Sequence, residues 1–159
     1  SVRRALAGRG PRHYNRRMAE STPPKPPTVL ELVWEHDLVF GGRSGDIAMT
    51  LDSASVSGPS PMQALGFAVA GCMAMDLVHI LKKGRHDLRG LRVDLKGERT
   101  QTEPRRFTRI ELRYTITGNV PAEPIERAIQ LSREKYCSVW HSMRQDIALD
   151  VSFSVSDGL

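Results

Sequence analysis

Apolar and polar side chains alternate with a period of two in five stretches of the chain, the mark of strands with one buried face. Leu30, Leu32 and Trp34 alternate with Glu31, Val33 and Glu35, and Ile47, Met49 and Leu51 with Ala48, Thr50 and Asp52. Between them lies Phe40-Gly41-Gly42-Arg43-Ser44-Gly45-Asp46, rich in residues that tolerate positive φ, which predicts the turn of a β-hairpin with Arg43 at its tip. Further on, Leu91, Val93 and Leu95 alternate with charged residues. Ile110, Leu112, Tyr114 and Ile116 do so with Glu111, Arg113, Thr115 and Thr117, and Ile147 to Val155 closes the chain in the same way. Half-buried strands of this kind belong to antiparallel sheets.

Two segments have a helical period instead. Ser53 to Pro61 is a Ser, Gly and Pro loop in which Ser57 or Ser60 can cap a helix, with Pro61 in its first turn. From Met62 to Leu81 apolar residues occupy nearly every face, and Lys82, Lys83 and Gly84 close the run. Such a helix must be covered all round. It is long enough to span a bilayer, but Gln63, Asp76 and His79 interrupt it and strands flank it, which favours a core helix. One small sheet covers a single face, so a second subunit is expected on the other. Pro121 to Lys135 is conventionally amphipathic, with Ile125, Ala128, Ile129 and Tyr136 on one face. The order β-β-α-β-β-α-β predicts an α+β fold rather than a doubly wound nucleotide-binding one.

Charge changes this picture little. The net charge is +5, yet six of the 23 Lys and Arg residues fall in Ser1–Arg17, where no acidic residue occurs; the remainder carries 17 basic against 18 acidic groups. A nucleic-acid role would rest on that tail alone. The tail has no signal-peptide run, though an Arg-rich transit peptide is compatible with it. The Pro-rich stretch after Met18 suggests that residues 1–29 form a basic, disordered lead-in, that Met18 is the natural start, and that 30–159 is a single cytoplasmic domain. No CxxC, HExxH or phosphate-loop signature occurs and the histidines are scattered, so neither metal nor cofactor is expected.

Candidate chemistry reduces to Cys72 and Cys137, too few for a disulfide scaffold. Taken singly, either is most simply a small core hydrophobe. Cys72 lies ten residues after Met62, about 15 Å into its helix, beyond the reach of the N-terminal dipole. Asp76, one turn further on, disfavours a thiolate if ionised. A reactive Cys72 therefore needs a nearby cation.

Pro59-Ser60-Pro61-Met62, the apolar helix with Gly71-Cys72, then Asp76 and Ile80-Leu81-Lys82-Lys83 resemble the OsmC/Ohr family of thiol-dependent hydroperoxide reductases. Gly97-Glu98-Arg99, the Pro104–Phe107 turn, Ile125 to Ile129 and Glu134-Lys135-Tyr136-Cys137-Ser138 are similar to its OsmC-like branch in order and spacing. The resemblance runs from about Leu30 to Val155. It implies antiparallel sheets around a long central helix in an intertwined homodimer. It also implies a peroxidatic Cys72, a resolving Cys137, and Arg43, from Gly41-Gly42-Arg43-Ser44-Gly45, leaning on the Cys72 sulfur. The glutamate that holds this arginine in the Ohr branch is replaced by Met62, so either another acid such as Asp46 or Glu98 stands in or the arginine is loosely held.

The implied reaction is attack of the Cys72 thiolate on an organic hydroperoxide, sulfenic acid formation, a Cys72–Cys137 disulfide, and reduction by an external dithiol or a lipoylated protein. Phe67, Val69, Met73 and Met62 are the expected apolar substrate contacts. The competing reading is a non-catalytic dimer of the same fold that binds a small apolar ligand at its interface.

Overall fold

The computed structural model describes residues 23–158. Most of the expected basic tail, Met18 included, lies outside the described residues, and 23–30 carry neither helix nor strand. Two three-stranded sheets and one long helix organise the rest. The first sheet is a meander of β1 (Glu31–His36), β2 (Val39–Ser44) and β3 (Ile47–Asp52); the second contains β4 (Asp87–Arg99), β5 (Phe107–Asn119) and β6 (Ala148–Ser156) in that order.

The Gly-rich segment corrects the expected turn. Phe40 to Ser44 is the body of β2, paired with β1 on one side and β3 on the other, and the turn is confined to Gly45-Asp46, with Gly45 at φ +59. Paired glycines satisfy a ladder as well as any residue, so the signal read as a loop marks a strand of low side-chain content. Arg43 thus sits one residue pair from the tip, directly across from Glu31.

Helix α1 (Pro61–Lys83) begins at Ser60 rather than Ser57. The Ser60 hydroxyl accepts from the Gln63 amide at 3.3 Å, and the Gln63 side-chain oxygen accepts from the Ser60 amide at 2.9 Å, a complete capping box. Its face of Gly66, Val69, Met73, Leu77 and Leu81 packs on the β4-β5-β6 sheet. The buried residues of β5 include Ile110, Leu112, Tyr114 and Ile116, as the alternation requires. The sheet is mixed: β4 and β5 are antiparallel, whereas β6 returns parallel to β5 after the helical connection, as a crossover allows.

That connection is not one helix to Lys135. α2 (Ala122–Leu131) gives way to a π-helical turn, Ser132–Tyr136, closed by the Cys137 amide donating to the Ser132 carbonyl at 2.8 Å; the short α3 (Ser138–His141) follows. The wider turn rotates Tyr136 out of register, leaving it exposed instead of on the core face, while Ser132 and Cys137 are fully buried. π-helical insertions of this kind concentrate at functional sites.

Candidate functional site

Two elements converge on one cluster. Cys72 and Asp76, one turn apart on α1, meet Cys137 at the end of the π-helical turn, and the two sulfurs and a carboxylate oxygen lie within 4.8 Å of one another. Both thiols are free. Ser132 Oγ donates to Asp76 Oδ2 at 2.7 Å, tying the helix to the turn that carries Cys137. The Trp140 amide donates to Cys137 Sγ at 3.3 Å. Tyr114, from the centre of β5, closes the far side; burial pushes its hydroxyl well above the ordinary tyrosine range, and Cys137, Asp76 and Cys72 add to the effect.

The Cys137 thiol is likewise pushed well above its usual value. Burial is the main cause, partly opposed by the Trp140 amide and reinforced by a hydrogen bond to Cys72 and by Asp76. Cys137 is inaccessible, and Cys72 and Asp76 are half-buried, so an incoming molecule reaches the cluster on the Cys72 side. A soft nucleophile in contact with a second, protonated thiol is the arrangement from which a disulfide forms with little movement.

The other sequence-predicted residues divide. Arg43 is exposed in β2 and is not among the groups acting on the cysteine cluster of its own chain. Among the described residues it has no ion-pair partner, Glu98 lies nearest Lys96 at 3.8 Å, and the carboxylate placed across from Arg43 is Glu31 rather than Asp46. Gln63, beside the substituted glutamate position, commits its side-chain oxygen to the Ser60 amide and the Ser55 hydroxyl. Val69 and Met73 are fully buried core residues, because their spacing puts them on the face that meets the sheet; the expectation that they contact substrate is corrected. Met62 and Phe67 do line an open groove of about 940 Å³, with Ala70, Val93, Leu95 and Phe107, on the flank of α1 facing β4.

The sequence marks Asp76 only as a group that would disfavour a Cys72 thiolate, and it singles out neither Ser132 nor Tyr114 as a site residue. Asp76 is satisfied, by Ser132, but it is also part of the cluster. Its helical spacing from Cys72 was the one available signal.

Comparison with known proteins agrees with the fold. A two-sheet α+β chain built around this long helix has the architecture of the OsmC-like class. The OsmC-like protein family model matches residues 53–152, and the chain belongs to that family. Protein YhfA of Escherichia coli K12 is 38% identical over 121 residues, covering 76% of this chain and 83% of YhfA. The crystal structure of a hypothetical protein from Aquifex aeolicus superposes with a TM-score of 0.77 at 30% identity, covering 83% of this chain and 98% of the other. An organic hydroperoxide resistance protein OsmC from Legionella pneumophila shares the fold, with a TM-score of 0.62 at 15% identity and coverage of 82% and 98%. Helix α1 is long and apolar enough to cross a membrane by length and composition alone; in this family's fold it is the core helix.

Proposed function

We propose that the chain is a thiol-dependent peroxidase for organic hydroperoxides, acting in the cytoplasm as a homodimer. The observation that carries this reading is the contact between a half-buried Cys72 and a buried, protonated Cys137. The Cys72 thiolate attacks the distal peroxide oxygen; the O–O bond breaks, the alkoxide leaves and is protonated to the alcohol, and Cys72 becomes a sulfenic acid. The Cys137 sulfur then displaces hydroxide from Cys72, its own proton completing the water that departs. An external dithiol or lipoylated protein returns two electrons and two protons. No cofactor enters the cycle.

Two features support the dimer. α1 exposes Met75 on the side away from its own sheet and Phe67 on its flank, and the β1-β2-β3 meander exposes Leu32, Trp34, Ile47 and Met49 while burying little beyond Val39 and Asp52. A three-stranded meander with so little core is not stable on its own. Laid over the partner's α1, it covers both apolar surfaces and brings Arg43 of one chain to Cys72 of the other, supplying a cation that the cluster lacks among the described residues of its own chain. The apolar groove beside Phe67 suits the organic half of the substrate.

Stopped-flow consumption of cumene or tert-butyl hydroperoxide by the wild type and by Cys72→Ser tests the reading. Loss of at least about 100-fold on substitution is expected. Equal, slow rates would remove the peroxidase claim. The same groove, with Met62 in place of the family's glutamate, favours the competing reading of a non-catalytic dimer that binds a small apolar ligand, and that outcome is what equal rates would leave.

A further inference from the structure

The cysteine cluster has a second chemical capacity. We propose that the reduced chain binds one thiophilic divalent cation, of the zinc class, between Cys72 Sγ, Cys137 Sγ and one carboxylate oxygen of Asp76. The three donor atoms already lie within 4.8 Å of one another. Tetrahedral coordination at about 2.3 Å to sulfur and about 2.0–2.2 Å to oxygen spaces donors at roughly 3.5–4 Å, so closure takes side-chain adjustments below about 1 Å. Two sulfurs with a single oxygen select zinc, cadmium or cobalt over magnesium or calcium, which need oxygen cages.

The surroundings suit such a site. Ser132 occupies Asp76 Oδ2 and leaves the other oxygen free, fixing the carboxylate as second-layer partners do. The Trp140 amide donates to Cys137 Sγ and can remain there once the sulfur is bound. Among the described residues no Lys or Arg of the same chain is paired with Asp76; two thiolates and this carboxylate carry three negative charges, of which the Arg43 proposed to come from the other chain offsets one and a divalent ion the remaining two. Three protein donors leave a fourth position on the half-buried Cys72 and Asp76 side for water. No sequence motif announces the site, because its donors come from a helix turn and from a distant π-helical turn.

The metal-bound and disulfide states exclude one another. Coordination to zinc draws electron density from the Cys72 sulfur and slows its attack on a peroxide, and a Cys72–Cys137 disulfide removes two of the three donors. Oxidation of the loaded site transfers two electrons from the sulfurs to the O–O bond, takes up two protons, and releases alcohol, water and the cation. That oxidation step rests on the peroxidase reading; the binding does not.

Titration of the reduced full chain with cobalt(II), followed by zinc competition, tests the proposal. We expect one cobalt per chain with a sulfur-to-cobalt charge-transfer band, stoichiometric bleaching by zinc, and no such band in diamide-oxidised protein. Cys72→Ser and Cys72→Ala should each weaken binding by at least about 100-fold, and Asp76→Asn by about 10-fold or more, with unchanged circular dichroism. Cobalt bound without sulfur charge transfer, equal affinity in the Cys72 variants, or binding to the oxidised form would overturn the site. Zinc-loaded protein that consumes cumene hydroperoxide at the metal-free rate would overturn the slowing by zinc. A sulfur-bound cobalt in a chain inert to hydroperoxide leaves the site standing and removes the peroxidase reading.

Discussion

Cys72 and Cys137 differ in environment more than in chemistry, and under the proposed peroxidase reading the difference favours Cys72 as the first to react. Cys72 is half-buried, whereas Cys137 has no accessible surface and its thiol is held protonated by burial. Replacing Cys137 with Ala should therefore spare the first step and remove the second: without reductant, one equivalent of hydroperoxide consumed per chain and a Cys72 sulfenic acid that dimedone traps and mass spectrometry detects, and with added dithiol only the slower turnover in which the dithiol attacks the sulfenic acid directly. A Cys137→Ala chain that turns over like the wild type would remove its resolving role. Val69 and Met73, close to Cys72 in sequence, lie wholly in the core. Met73→Ala is expected to cost about 2–5 kcal/mol in chemical denaturation, while the ratio of rates for cumene and tert-butyl hydroperoxide stays unchanged. The sequence pointed to the cysteine pair through order and spacing along the chain. It could not separate Met62 and Phe67, which line the groove, from Val69 and Met73, which do not, since an all-apolar helix carries no mark of which face meets its own sheet.

At the scale of elements, the link between the first sheet and α1 is held by one carboxylate. Asp52, at the end of β3, accepts from the amides of Ala54, Val56 and Ser57 and from the Ser57 hydroxyl at 2.8–3.1 Å, and the loop it shapes ends in the Ser60 capping box. These bonds, chiefly that from the Ser57 amide, lower the Asp52 pKa from 3.8 to about 2 against the opposing effect of burial. A group whose folded pKa is depressed contributes stability above its unfolded value, and that stability is lost as pH falls toward the folded one. Asp52→Asn should thus be less stable than the wild type at neutral pH, with the gap in urea midpoint closing between about pH 4 and pH 2; a gap that stays constant over that range would contradict the assignment. Loss of the cap itself in Ser60→Ala should cost about 1 kcal/mol. Burial imposes the period that makes β5 legible, whereas β1 carries the same alternation with every residue exposed in the single chain. β2 was not legible, because Gly41 and Gly42 add no side chain to either face, and the break between α2 and α3 was not, because a π-helical turn leaves local composition unchanged.

For the whole molecule, the decisive question is which chain supplies the cation. Arg43 stands on a meander that shares little core with its own chain, across from Glu31, while the cysteine cluster sits beneath α1 on the other sheet. If two chains exchange their meanders across a two-fold axis, each site contains Cys72, Asp76 and Cys137 from one subunit and Arg43 from the other. Arg43→Ala and Cys72→Ser homodimers should each be close to inactive toward cumene hydroperoxide. A heterodimer made by co-refolding them contains one site with both substitutions and one with neither, so random mixing should restore roughly a quarter of the wild-type rate, since half of the dimers are mixed and each has one intact site. If Arg43 served the cysteine of its own chain, every site in the mixture would carry a substitution and no activity would return. Met75→Glu, placed on the exposed face of α1 and outside the groove, completes the argument: light scattering should show monomers, and the rate should fall with the dimer although Cys72, Cys137 and the groove are untouched. A monomeric Met75→Glu chain with full activity would show that the arginine is not borrowed.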